Sequence, residues 1–207
     1  MSDGQGSSAG RAAVARDPRG RGGARAAAEA TAAPTGAIVW FTGLPASGKT
    51  TLARRVQARL AADRCAAVVL DSDELRDVLG THAYAPAGRA AFYRALSELA
   101  ALLARQGIVV LVAATAPRRE DREHARVAMA DQVAGDRFLE VWVATPLDAC
   151  EARDPKGLYA AARRGEASQL PGVGVAYEPP EAPEVTADGG QDDVAVAAIV
   201  RRLAAAD

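Results

Sequence analysis

Residues 43–50 read Gly-Leu-Pro-Ala-Ser-Gly-Lys-Thr, which fits GxxxxGK[ST], and they stand directly between an apolar run and a stretch with helical period. Few local patterns restrict a fold as much. Glycines at both ends let backbone N–H groups curl around an anion, and the following helix points its positive end at the same place. The preceding run must then be a strand whose carboxyl end faces that anion. Phosphate chemistry assigns Lys49 to the β- and γ-phosphates and the Thr50 hydroxyl to magnesium, with Gly43, Ala46, Ser47, Gly48, Lys49, Thr50 and Thr51 as the nucleotide cradle. ATP or GTP with Mg2+ is the expected ligand.

The rest of the chain agrees with a strand at that point. Apolar, β-branched runs at Ala37–Thr42, Ala66–Asp71, Ile108–Thr115 and Phe138–Thr145 are continuous rather than alternating, as in strands covered on both faces. Between them, Lys49–Ala62, Arg89–Gln106 and Arg118–Ala134 predict helices. In the second helix Phe92, Leu96, Leu99 and Leu103 share one face, and Gly107 follows as a stop. Weaker signals place a fifth strand at Glu184–Ala187 and a last helix at Asp192–Leu203. The expected class is α/β: a P-loop NTPase fold, three layers α/β/α with a parallel sheet and a lid. The lid is assigned to about residues 153–180, an irregular segment carrying Gly157, Gly165, Gly172, Gly174 and Pro155, Pro171, Pro179 and Pro180.

Residues 1–35 have no hydrophobic period and carry five arginines, so a disordered tail is expected there, with residues 36–207 as the folded P-loop domain. The 207 residues suffice for one core, and a formal net charge of -1 gives no electrostatic case for nucleic acid or an anionic membrane. No run reaches the length of a membrane span and no apolar leader opens the chain, so a cytoplasmic location and a small-molecule substrate are expected. Cys65 and Cys150 lack the spacing of a zinc site or a disulfide framework. Of 25 basic residues only Lys49 and Lys156 are lysine.

Asp71 and Asp73 close the second strand. Two apart on an extended chain, both carboxylates can emerge at the sheet's carboxyl edge, one ordering magnesium and the other accepting a proton from an attacking hydroxyl. Either could also cap the helix beginning near Glu74. Position further selects Arg76, one turn beyond, and Arg119 and Arg122, after the third strand, as groups facing an anionic substrate. Arg153 and Lys156 open the lid, where a positive charge can close on the transferring phosphoryl group.

From about Ile38 to Thr186 the chain resembles the adenylylsulfate kinase family. The resemblance rests on Pro146-Leu147, Cys150-Glu151, Arg153-Asp-Pro-Lys-Gly-Leu-Tyr159, Arg163, Gly165 and Tyr177-Glu-Pro-Pro180, and on Leu70-Asp-Ser-Asp-Glu-Leu-Arg76 beside the family's LDGDNVR. It implies phosphorylation of the 3′-hydroxyl of adenosine 5′-phosphosulfate by MgATP, giving the 3′-phospho product of sulfate activation, and a homodimeric assembly. On this match Asp73 is the base, Asp71 stands beside it at the magnesium, Arg76 contacts the nucleotide substrate, and Arg89 keeps the arginine of the family's DRxxN. Tyr84 supplies one stacking aromatic. The acceptor side departs from the pattern. Phe92 stands for the family's asparagine, Ser168 for its lysine, Leu170 for its second aromatic, and Ala116 and Arg118 replace the serine and tyrosine of SPY. A lost stack or phosphate-directed cation is worth on the order of 1–3 kcal/mol. Three readings stay open: adenylylsulfate bound through compensating groups such as Arg118, a different hydroxyl metabolite as acceptor, or an inactive nucleotide-binding subunit.

Overall fold

Every residue of strand β1 (Ala37–Thr42) is buried, and alternate residues serve opposite layers. In the computed structural model, which describes residues 36–81, 85–130 and 137–205, all described elements belong to the unit Thr31–Asp207. The expected tail over residues 1–35 and the aromatic Tyr84 lie outside the described residues. Ala37, Val39 and Phe41 pack with helix α1 (Lys49–Ala62) and with the last helix, whereas Ile38 and Trp40 pack with the two long middle helices. Two-sided burial explains the unbroken apolar sequence, each large side chain contributing about 2 kcal/mol of transfer energy.

The sheet order is β2 (Ala67–Asp71), β3 (Val109–Ala113), β1, β4 (Phe138–Val143), β5 (Val185–Ala187), all parallel, with Phe41 level with Ala113 and Val141. The chain therefore runs from β1 to one side, returns through β3, and passes to the other side through β4. β1 lies at the switch point, where open α/β sheets leave a crevice beyond the strand ends.

The helices start and stop for local reasons. α2 (Ser72–Leu79) begins two residues before the expected Glu74, because the Asp71 carboxylate caps it; Gly80, with φ 63°, ends it. α3 (Pro86–Ala104) begins three residues before the expected Arg89, its proline preset at the first turn. Phe92 and Leu96 are buried on its inner face, and Leu99 and Leu103 pack against the same cluster. α4 spans Arg119–Ala130; residues 131–136 of the expected helix lie outside the described residues. The expected irregular segment over 153–180 needs correcting. It follows α5 (Leu147–Arg153) and contains a helical turn and a half, α6 (Leu158–Arg163), whose start is held by the Asp154 carboxylate accepting from Tyr159 and Ala160 N–H. α7 (Asp193–Ala205) closes the chain.

Candidate active site

The phosphate loop joins β1 to α1 and is held from three sides. Gly48 has φ 103°, and a Cβ there would stand 2.6 Å from the Gly190 nitrogen, so the β5–α7 connection packs directly on the loop. Thr145, after β4, donates its hydroxyl to the Ser47 carbonyl at 2.8 Å, and the Tyr159 hydroxyl donates to the Pro45 carbonyl at 3.0 Å. Sequence reading missed Thr145 and Gly190, although the Gly189-Gly190 pair was a signal of close backbone approach. Burial pushes the Tyr159 phenol well up, which keeps it a neutral donor.

Inside the loop, Lys49 donates to the Gly43 and Leu44 carbonyls at 3.1 and 2.8 Å. Burial of its ammonium pushes its pKa down to about 8, opposed by the charges of Asp73 and Asp71. The Ser47 hydroxyl is buried without a hydrogen-bond partner among the described residues. An orphaned hydroxyl, a desolvated cation and a helix N-terminus converge on one concavity, which fits a polyphosphate. Thr50 donates to Asp71 Oδ2 at 2.5 Å. Asp71 Oδ1 meanwhile accepts from the Asp73 and Glu74 N–H groups at 2.8 and 3.3 Å, so the same carboxylate caps α2 and faces the Thr50 hydroxyl. One hydroxyl and one fixed carboxylate fit magnesium, which keeps few protein ligands beside phosphate oxygens and waters.

Asp73 sits one residue into α2, more than half exposed, and receives the Lys156 ammonium from beyond α5 at 2.7 Å. That bond raises the Lys156 pKa and makes it a firm cation. Arg153 is exposed at the end of α5 with no carboxylate partner among the described residues. The segment from Cys150 to Val173 packs its own small core of Cys150, Tyr159 and Leu170 against Leu44 and Ala46 of the phosphate loop. A cavity of about 520 Å³ opens between the end of β4, Leu44 and residues 172–177; its lining includes none of Lys49, Thr50, Asp71 or Asp73.

The structure sorts the remaining arginines. Arg76 is buried, and its guanidinium carbon lies 3.7 Å from the Phe92 ring centroid and 6.0 Å from that of Tyr93. Arg89, equally buried, donates to the Gln169 carbonyl at 2.7 Å, tying α3 to the lid. Arg119 and Arg122 are placed otherwise than their sequence positions suggest. Arg122 is 2% exposed and its three nitrogens bond Glu140, the Ala116 carbonyl and the Glu178 carbonyl at 2.6, 2.7 and 2.8 Å. Arg119 bonds Pro179 and Glu181. Both brace the 178–181 segment. Arg118 is paired with Glu120 and Asp121 at 2.6 and 3.3 Å.

Comparison with known proteins agrees with this geometry. The Adenylylsulphate kinase family profile matches residues 35–188. The adenylyl-sulfate kinase of Enterobacter sp. (strain 638) is 41% identical over 157 residues, 75% of this chain and 76% of that protein. A bifunctional CysN/CysC enzyme of Mycobacterium tuberculosis (strain H37Rv) is 46% identical over 153 residues, 73% of this chain and 25% of that protein. Among solved structures, the Mycobacterium tuberculosis APS kinase CysC in complex with AMPPNP and APS superposes with a TM-score of 0.74 at 42% identity, covering 83% of this chain and 99% of that one. A hexameric APS kinase from Thiobacillus denitrificans matches with a TM-score of 0.59 at 26% identity, covering 84% and 29%. By the match over residues 35–188 and the extent of these relatives, this chain is a member of the adenylylsulphate kinase family of P-loop kinases.

Proposed function

We propose that this chain transfers the γ-phosphoryl group of MgATP to the 3′-hydroxyl of adenosine 5′-phosphosulfate. The observation that carries the reading is the division of labour between two carboxylates two residues apart. Asp71 is pinned by the α2 backbone and faces Thr50, whereas Asp73 is more than half exposed and, among the described residues, is paired with the Lys156 ammonium alone. Magnesium, when held by Thr50 and Asp71, neutralises phosphate charge. Lys49 binds the β- and γ-phosphates in place of the loop carbonyls it now holds. Asp73 accepts the hydroxyl proton as the acceptor oxygen bonds phosphorus and ADP leaves. Arg153 and Lys156 bring positive charge to the transferring group from the lid, and Arg76 and Arg89 supply buried cations for the acceptor's anionic end.

One observation favours a second reading. Leu170, where the family resemblance expects a stacking aromatic, is packed into the lid's own core with Cys150 and Tyr159, which favours a different anionic hydroxyl metabolite as acceptor. An inactive subunit fits less well, since Lys49, Thr50, Asp71 and Asp73 are all in one crevice. Self-association as a homodimer and a cytoplasmic location belong to the same proposal; among the described residues no helix is long and apolar enough to cross a membrane. Adenosine diphosphate release from MgATP, with and without adenylylsulfate and with Lys49→Ala as blank, tests the reading. Saturable release at micromolar acceptor supports it. Intact ATP binding with no response to adenylylsulfate overturns it in favour of the second acceptor class.

A further inference from the structure

The turn inside the phosphate loop holds a conformation that its residue type resists. Ser47 N–H donates to the Leu44 carbonyl at 3.2 Å, so residues 44–47 form a β-turn with Pro45 and Ala46 at its centre. Ala46 has φ 59°, the left-handed value that the second central residue of a type II turn needs and that glycine usually supplies. A half-turn of the Pro45–Ala46 peptide would carry that φ to about -120°, where a residue with a Cβ is at ease, and would keep the ends of the turn together. Gly48, at φ 103°, has no such preference to overcome. The Pro45–Ala46 peptide is instead held from the lid. The buried Tyr159 hydroxyl, on α6, donates to the Pro45 carbonyl at 3.0 Å, and the Ala46 side chain packs against the lid core that contains the Tyr159 ring. The Cys150 thiol lies beside the same hydroxyl, but sulfur is a weak acceptor and Sγ is turned to the Thr145 carbonyl at 3.7 Å.

In a trans peptide the C=O and N–H point opposite ways. With the Pro45 carbonyl turned to Tyr159, the Ala46 N–H points away from the lid, and it donates to no group among the described residues. We propose that Tyr159 is a positioning residue for nucleotide binding: by holding the Pro45 carbonyl it keeps the Ala46 N–H turned to the phosphates, against the preference of Ala46 for the flipped peptide. Flipped, the same peptide would set a carbonyl oxygen against phosphate oxygens. The proposal rests on the MgATP reading above and deepens it, because it makes a lid residue a determinant of nucleotide affinity through the backbone of the loop, with no contact of its own to the ligand.

The test is calorimetric binding of MgADP to the full chain. Tyr159→Phe keeps the ring in the lid core and is expected to raise the dissociation constant about three- to ten-fold, the worth of one hydrogen bond to a carbonyl. In an Ala46→Gly background φ 59° carries no strain and the binding-competent peptide stays dominant, so there Tyr159→Phe is expected to raise the constant by less than about two-fold. A packing defect in the lid would weaken binding equally in both backgrounds. Should Tyr159→Phe fold poorly, 4-fluorophenylalanine at position 159 fills the volume of the hydroxyl without a donor, and the same comparison is made with it. A response under about two-fold in the parent background, or an equal penalty in the Ala46→Gly background, overturns the positioning role while leaving the MgATP reading in place. If the parent binds MgADP in a Tyr159-dependent way but does not turn over adenylylsulfate, the acceptor reading fails and the role of Tyr159 stands. If the parent does not bind MgADP, both fall.

Discussion

Replacing Lys49 by Met is expected to make the nucleotide-free protein more stable while removing its nucleotide binding. The ammonium is held on the Gly43 and Leu44 carbonyls in a site dry enough to bring its pKa from 10.5 to about 8. That difference corresponds to about 3 kcal/mol of penalty on the charged form in the folded state. Met has a similar unbranched length and carries no charge to desolvate. The two carbonyls lose a donor, which returns about 1 kcal/mol or more of the gain, so a net increase of about 1–2 kcal/mol at pH 7 is expected. Urea unfolding of both proteins without nucleotide measures it. The pH dependence supplies the sharper check. Near pH 8 folded parent protein releases the Lys49 proton while the unfolded chain keeps it until about pH 10.5. Between those values the unfolded state binds more protons, so parent stability rises with pH and the gap to Lys49→Met closes. MgATP should raise the unfolding midpoint of the parent alone. A Lys49→Met protein less stable than the parent at pH 7, or a gap that stays constant from pH 8 to 10, would refute the claim that a desolvated cation is held here at a cost in stability.

Asp73→Asn is expected to bind MgATP within about two-fold of the parent and to lose 10²-fold or more in turnover; normal turnover would remove Asp73 from the base role. Lys156→Ala breaks an ion pair whose partners are more than half exposed, so stability should change by less than about 1 kcal/mol. Its turnover should nevertheless fall about ten-fold or more in steady-state assays, and unchanged turnover would make the contact incidental. Arg122→Met is expected to destabilise by about 3 kcal/mol in denaturant titration, since Glu140, at 14% exposure, loses its closest cation. An Arg122→Met protein of parental stability with a raised acceptor KM would restore Arg122 to the substrate-facing role that its sequence position suggests.

What could be read from sequence was whatever a local rule encodes. The glycine spacing from Gly43 to Gly48 and the continuous apolar runs are dictated by backbone geometry within a few residues and sit at the expected places, whereas Asp73, expected on the extended chain with Asp71, is the second residue of α2 because the Asp71 cap starts the helix at once. Helix starts shifted where a cap lay outside the periodic stretch, as at Asp71 and Pro86. The arginines were illegible for a different reason. Arg76, Arg89, Arg119 and Arg122 have the same donor set and comparable positions near strand ends. What places Arg89, Arg119 and Arg122 is which carboxylate or carbonyl from a segment about 56–80 residues away reaches the fork, as Glu178 does for Arg122 and Gln169 for Arg89. No periodicity carries that information. Phe92 shows the same limit from the apolar side, because its helical phase marks it as core whether it faces Leu96's neighbours or a guanidinium.

The two lysines connect sequence bias to chemistry. In a chain with 23 arginines and 2 lysines, both ammonium groups lie at the crevice, one on the phosphate-loop carbonyls and one on Asp73. A guanidinium is planar, does not give up its proton in this pH range, and needs its acceptors spread in one plane. Between Gly43 O and Leu44 O, which lie on consecutive residues of a tight loop, only a compact, rotatable donor can bond both and then turn to a phosphate. At Asp73 the requirement differs: a bidentate guanidinium would cover both carboxylate oxygens, whereas the Lys156 ammonium engages Oδ2, which leaves the second oxygen for the proposed contact with an acceptor hydroxyl. The scarcity of lysine thus agrees with the proposed transfer step, in which the geometry of each ammonium, and not its charge alone, is used.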